Sequence, residues 1–414
     1  MDYMCVDLKS FYASVECVLR GLDPFTTPLV VANKKRGEGS IILAVTPYLK
    51  KFGIKSRCRI FDLPIELKDK IIYAIPRMKL YIDYSILVYK ALLHFFSQED
   101  IHVYSIDESF IYIKPYIKYY GLKEEELAKM ILDYIYEETK LTATCGIGEN
   151  LFLCKVALDI YAKKINSNIS ILSKKDFFDK LWEHKPITDF WSIGNGIAKR
   201  LEKYGVFTLK DIALKPMEVF YKEFGIIGKE LYEHAWGIDS TLIKDIKEPR
   251  KRKGISSSQI LFEDYDILDA ETILIEMIDE IVLELISHNK KATSISLTVG
   301  YSKEIGGGFR VSKKIDIPTD SYHLILKEFI KLFNDNILDL KVRTIGVVLS
   351  GLIDSNYGQI SFFDVDNTRE KKLYETINNL KSKFGKNSVV KAISKLDKAN
   401  QINRNKLIGG HNEK

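Results

Sequence analysis

At 414 residues the chain is too long for one ordinary core, so two to four domains are expected. With 46% hydrophobic and 29% charged residues, no apolar run long enough to cross a bilayer and no basic-then-apolar opening, composition points away from membrane-spanning and exported classes. The net charge of +6 favours a polyanionic partner only weakly, and Cys5, Cys17, Cys58, Cys145 and Cys154, without Cys-x-x-Cys spacing, read as reduced thiols of a cytoplasmic protein.

Tyr3-Met4-Cys5-Val6 is a short apolar run that reads as a buried strand, and it ends at Asp7. A helical pattern follows through Phe11, Val15 and Leu19. Asp7 suits two roles equally: an N-cap for that helix, or an acid at the carboxyl end of a central strand, where α/β sheets place their chemistry. Short strands at 28–32 and 40–45 flank a Gly-rich loop at 36–39, and residues 46–53 form a short helix ended by Gly53. Helices at 84–96 and 123–138 flank a hairpin whose strands are 103–105 and 110–113. Between those strands sit Asp107 and Glu108. Adjacent carboxylates raise each other's pKa unless a cation lies between them. A solvated turn is one explanation, but the flanking strands look buried, and a divalent metal explains the pair better. Together with Asp7 the pair makes a three-carboxylate constellation, which suits two hard ions about 4 Å apart in an in-line phosphoryl transfer. A strand at 141–147 and a helix at 150–164, with Leu153, Val156, Ala157 and Ile160 inward, complete an α/β unit.

Residues 191–201 carry a helix-hairpin-helix signature: Ile193 as apolar anchor, Gly194 and Gly196 in a turn open to a phosphate, and Lys199, Arg200 and Lys203 on the next helix. Residues 241–254 read as a basic linker. From 255 the order is βαββαβ. The strand 294–301 alternates cleanly, with Ile295, Leu297 and Val299 on one face and Ser294, Ser296 and Thr298 on the other. That order implies a four-stranded sheet with both helices on one face. Beyond it, Gln359-Ile360-Ser361-Phe362-Phe363 puts two aromatics on a tail with no core to enter, which marks a partner site. Residues 368–383 look helical, and 386–414 read as polar and mobile.

Two of these motifs resemble a known family. Asp7-Leu8-Lys9-Ser10-Phe11-Tyr12-Ala13-Ser14-Val15-Glu16 resembles the first motif of Y-family translesion DNA polymerases, and Tyr104-Ser105-Ile106-Asp107-Glu108-Ser109-Phe110 resembles their catalytic hairpin. The likeness is to the UmuC-like branch and the related UV-damage repair proteins, and it covers about residues 1–365.

The resemblance implies a multidomain α/β and α+β fold shaped as a right hand. Its palm takes residues 1–17 and 78–165, its small fingers 18–77, its helix-hairpin-helix thumb 166–240, and its βαββαβ little finger 255–351, with the tail at 352–414. It also implies two Mg²⁺ ions held by Asp7, Asp107, Glu108 and the Leu8 carbonyl. Phe11 and Tyr12 would meet the incoming deoxynucleoside triphosphate, with Tyr12 as steric gate against a ribose 2′-hydroxyl. Thr46, Tyr48, Lys50 and Lys163 are candidates for the triphosphate, although Pro47 and Tyr48 shift the fingers motif by one position. Gly194, Gly196, Lys199, Ser256, Ser258, Arg310, Lys314 and Arg343 are candidates for primer–template phosphates. Gln359, Ile360, Ser361, Phe362 and Phe363 resemble the pentapeptide that binds the bacterial sliding clamp. A monomeric polymerase of the SOS-type damage response is the expectation. A nucleotidyl cyclase would need neither the hairpin nor the clamp string, and a non-catalytic accessory protein would not need the acids.

Overall fold

The computed structural model describes residues 1–247, 252–355 and 368–413. The chain divides into two compact units, residues 1–248 together with 411–414, and residues 249–410.

In the first unit, β1 (Tyr3–Leu8) is the centre of a five-stranded sheet. A small separate sheet comprises β2 (Leu29–Val31), β3 (Ala44–Val45) and β4 (Ile72–Ala74), in the order β3-β2-β4. The main sheet adds β5 (Ile101–Val103), β6 (Glu108–Tyr112), β7 (Ala143–Gly148) and β8 (Ile169–Leu172), in the order β5-β6-β1-β7-β8. β1 runs antiparallel to both neighbours and is covered on both faces, which is why its sequence is an unbroken apolar run. Tyr3 and Cys5 pack with Phe110 against Leu151, Cys154 and Leu158. Val6 and Leu8 turn the other way, toward Val88 and Leu92 of the helix Met78–Leu93. By the period of two, Asp7 continues the Tyr3–Cys5 face.

The helix Leu151–Val156 lies so close to β7 that a Cβ on Gly146 would collide with the Cys154 carbonyl, and one on Gly148 with the Cys154 amide. The helix expected over 150–164 changes pitch twice. It loosens into a π turn at Ala157–Tyr161 and tightens into a 3₁₀ turn at Ala162–Lys164. Around the small sheet, Val30, Ile42, Val45, Leu49, Ile60 and Leu63 form a core of their own. The helices from Lys174–Lys180 to Ile226–Ala235 gather around Phe152, Phe177, Phe190, Leu201 and Phe220. The start of the expected linker is not a tether. Ile243–Lys247 is a helical turn whose Ile243 and Ile246 join the core of Tyr3 and Phe110.

The second unit is an antiparallel sheet of β9 (Gly254–Tyr265), β10 (Lys290–Tyr301), β11 (Gly308–Thr319) and β12 (Val342–Ser350), in the order β11-β10-β12-β9. The helices Ile267–Ser287 and Tyr322–Asn336 cover one face, burying Ile295, Leu297 and Val299 as the alternation requires. The helix Thr368–Phe384 packs its Tyr374 into the same core. The residues beyond it, read as mobile, are instead fastened. Buried Glu276 accepts the amides of Asn400 (3.0 Å) and Gln401 (3.2 Å), and the Asn400 side chain donates to Gln259 (3.1 Å). Gln359, Ile360, Ser361, Phe362 and Phe363 lie outside the described residues. Among those described, no helix is long and apolar enough to cross a membrane.

Candidate active site

Strand register sets Asp7 directly opposite Glu108. The Leu8 amide donates to the Asp107 carbonyl (3.0 Å) and clips the hairpin turn onto the end of β1. Ser105 Oγ donates to Asp107 Oδ1 (2.6 Å) and orients that side chain. The three acids found 100 residues apart in sequence are thereby gathered at one end of the sheet. Just beyond β1, Ser10 takes the left-handed conformation (φ 51°), uncommon for a residue with a Cβ. This corner turns the chain into the helix Phe11–Val18, whose Tyr12 feels the Asp107 charge.

The counter-charges come from the helix after β7. Lys155, nearly buried, donates to Glu108 Oε2 (2.8 Å) and pairs with Asp159 (3.0 Å). Lys163 pairs with Asp159 (2.7 Å) and with Asp7 Oδ2 (3.3 Å). The two pairs that Asp159 makes, with Lys155 and with Lys163, put all three on one side of the segment through its changes of pitch. Cys5 Sγ donates to the other Glu108 oxygen (3.1 Å). Burial outweighs these cations at Asp7. Burial pushes its carboxyl up, Lys163 opposes, and Asp107 and Glu108 push it further, to about 6. Burial and Asp107 likewise raise the Tyr12 phenol. Loss of water pulls Lys50 below its ordinary range, while Asp7 and Asp107 oppose that pull, so this lysine feels the same cluster. Among the described residues, no three carboxylate, thiol or imidazole groups close on one point as they would around an ion.

Leu8 and Phe11 are buried and Tyr12 is half-buried. Tyr48 packs edge-on against Phe52 (5.2 Å). The Thr46 hydroxyl is engaged locally. The residue is fully buried, its hydroxyl donates to the Thr27 carbonyl (2.8 Å) and accepts from the Leu29 amide (3.3 Å), and it secures the strand edge. Lys155 was missed by sequence reasoning because its partner Glu108 is 47 residues away. The Lys-x₃-Asp-x₃-Lys spacing was the available signal.

Two other surfaces hold the remaining candidates. Gly194 caps the helix Asn195–Glu202 and Gly196 lies in its first turn, with open space where either Cβ would stand. The tight bend is made by Ser192 (φ 70°) and not by a glycine. Lys199 is exposed, whereas Arg200 is bonded to Glu223 (2.8 Å). On the uncovered face of the second unit's sheet, pairing puts Arg310, Thr298, Gly346 and Ser258 in one row. Ser256 and Lys314 are also exposed there, and Ser296 and Ser312 bond to one another (2.7 Å). Arg343 stands apart, paired with Asp264 (3.3 Å).

A strand-end cluster of acids, a helix-hairpin-helix and an open sheet face, each taken by itself, suit a template-copying polymerase, and comparison with known proteins agrees. Residues 6–159 match the impB/mucB/samB family and residues 252–362 match that family's C-terminal domain. The chain belongs to this family, the UmuC-like branch of the Y-family DNA-directed DNA polymerases. It is 38% identical to the putative UV-damage repair protein UvrX of Bacillus subtilis, over 99% of this chain and 97% of the relative. It is 28% identical to DNA polymerase IV 2 of the same organism, over 98% and 97%. Its fold resembles a solved Y-family DNA polymerase chimera, Dbh-Dpo4(243-245)-Dbh, with a TM-score of 0.65 at 23% identity, covering 86% of this chain and 100% of that one.

Proposed function

We propose that the chain performs translesion synthesis by two-metal nucleotidyl transfer in an SOS-type response to DNA damage. The observation that carries this reading is the pairing of Asp7 with Glu108, with Asp107 clipped beside them. The donor chemistry fits Mg²⁺. The groups are hard carboxylate oxygens, and burial, with Asp107 and Glu108 adding to it against Lys163, holds Asp7 near 6. Asp7, Asp107, Glu108 and the Leu8 carbonyl would hold two ions, which supply activation of the primer 3′-hydroxyl and neutralisation of the leaving pyrophosphate.

The chain's own groups do the rest. Lys163, paired with Asp7, and Lys50, which feels the same acids, take up triphosphate charge together with Tyr48. Thr46, its hydroxyl bonded to Thr27 and Leu29, anchors the start of the turn that carries Tyr48 and Lys50. Phe11 backs the pocket, and Tyr12 occupies the space a ribose 2′-hydroxyl would need. Gly194, Gly196 and Lys199 grip backbone phosphates without reading sequence, as do Ser256, Ser258, Arg310 and Lys314 on the open sheet face. Arg343 adds charge at the margin of that face. Gln359, Ile360, Ser361, Phe362 and Phe363 tether the enzyme, in the cytoplasm, to a sliding clamp.

Primer extension with single deoxynucleotides tests this reading, on an intact template and on one with an abasic site. Asp107→Ala and Glu108→Ala should each abolish extension while a gel shift still detects primer–template binding. Extension persisting above a trace in either variant overturns the assignment. Failure of the parent enzyme at the abasic site overturns the translesion claim alone.

A further inference from the structure

The polymerase reading leaves one buried cluster beside the acids without a role. The Tyr12 ring lies flat on Tyr81, with centroids 4.3 Å apart and planes 14° from parallel. Phe11 meets Tyr81 edge-on at 6.5 Å. Tyr81 is fully buried, and its hydroxyl donates to Glu16 Oε1 (2.7 Å). Glu16 is also fully buried. It accepts from Arg77 Nε (3.1 Å) and Nη2 (2.6 Å), and from Arg20 just past the end of its own helix. Burial alone would raise the Glu16 carboxyl, but the bonds from Arg77, Tyr81 and Arg20 outweigh it and hold the group below the usual carboxylate range. The acceptor under Tyr81 is therefore a charged one, and charge-assisted bonds of this kind fix orientation strongly.

A steric gate is only as stiff as its mounting. An unsupported ring yields to a colliding hydroxyl by turning off its rotamer, at a cost equivalent to only about tenfold in rate. The helix turn that carries Tyr12 supplies no such stiffness by itself, whereas a ring clamped flat against it does.

We propose that Tyr81 is a positioning residue for sugar selection. It holds the Tyr12 ring in place against the sugar of the incoming nucleotide, and Glu16 and Arg77 fix Tyr81 in turn. The proposal rests on the reading of Tyr12 as the gate. It extends sugar selection from one residue to a relay that begins in the second half of the first helix.

The test measures kcat/KM for a deoxynucleotide and the matching ribonucleotide in four variants. Tyr12→Ala should collapse the deoxy-over-ribo preference. Tyr81→Leu, which removes the stacked ring, should lower it by about tenfold, mainly by raising the ribonucleotide value. Tyr81→Phe keeps the ring and should hold the parent preference to within about threefold. Glu16→Gln keeps the ring and the shape but loses the charge, and should lower the preference by about threefold, so it decides the matter if Tyr81→Leu does not fold. A merely structural defect lowers both nucleotides together and leaves their ratio unmoved. That result in Tyr81→Leu and Glu16→Gln, with Tyr12→Ala altered, overturns this proposal alone. An unmoved ratio in Tyr12→Ala overturns the gate reading and the relay with it.

Discussion

Asp7→Asn should make the metal-free protein more stable while destroying its activity. The Asp7 carboxyl stands at about 6 in the folded chain against an ordinary 3.8. An acid raised by folding favours the native state while it is protonated. That advantage is complete below the ordinary value and is lost as pH rises through about 6. A gap of about two units at about 1.36 kcal/mol each comes to about 3 kcal/mol. Little of this is screened by solvent, because the side chain is only 15% exposed. Asparagine keeps the shape and removes the charge. In chelator, the variant should therefore be more stable than the parent by about 3 kcal/mol at about pH 8, and equal to it near about pH 4. Trp182, Trp191 and Trp236, the only tryptophans, all lie in the first unit, so their fluorescence during urea unfolding follows that unit specifically. Added Mg²⁺ should then stabilise the parent and leave the variant unmoved, since an ion stabilises only the state that binds it. A variant no more stable than the parent at the higher pH refutes the argument, as does a difference that survives at the lower one.

Lys155→Met strands buried Glu108 without its cation, while Asp159 keeps Lys163, and should cost about 3–5 kcal/mol of first-unit stability by the same fluorescence assay. Glu276→Ala removes the acceptor of the Asn400 and Gln401 amides, a loss of about 1–3 kcal/mol, and should open residues 386–410 to limited proteolysis. Phe362→Ala combined with Phe363→Ala should leave basal extension intact but abolish clamp stimulation. Two lost anchors of about 2 kcal/mol each weaken clamp binding by about a thousandfold, seen as shorter products and in direct binding.

The parts of this molecule that were legible are those written in local pattern. The β10 alternation of Ile295, Leu297 and Val299 against Ser294, Ser296 and Thr298 set the faces of the second sheet, because one face is buried and the other is not. Asp107 and Glu108 stood out because adjacent acids between apolar strands need a cation. What escaped was held by contacts distant in sequence or by polar bonds. Lys155 looks like any solvated helix lysine until β6 is folded against it. The turn Ile243–Lys247 has only two apolar anchors in a basic run. The final segment is fastened by Glu276 taking backbone amides, for which hydropathy has no signal. The pitch changes after Val156 leave no mark in an apolar pattern that remains roughly helical. Thr46 shows the converse. A residue in a motif-like position can be spent on local architecture.

Cys5 bears on the chemical character of the acid cluster. Its thiol lies against Glu108, fully buried, and burial, with Cys154 and Glu108 adding to it, pushes it well above the usual thiol range. A thiolate in that position would be a soft ligand at the edge of a hard-oxygen site, inviting zinc or copper in place of magnesium. It would also be the form that peroxides and alkylating agents attack. Kept protonated, the sulfur acts only as a weak donor to the acid beside it. The same burial that gives β1 its place in the sheet thus also keeps this thiol in its protonated, less reactive form.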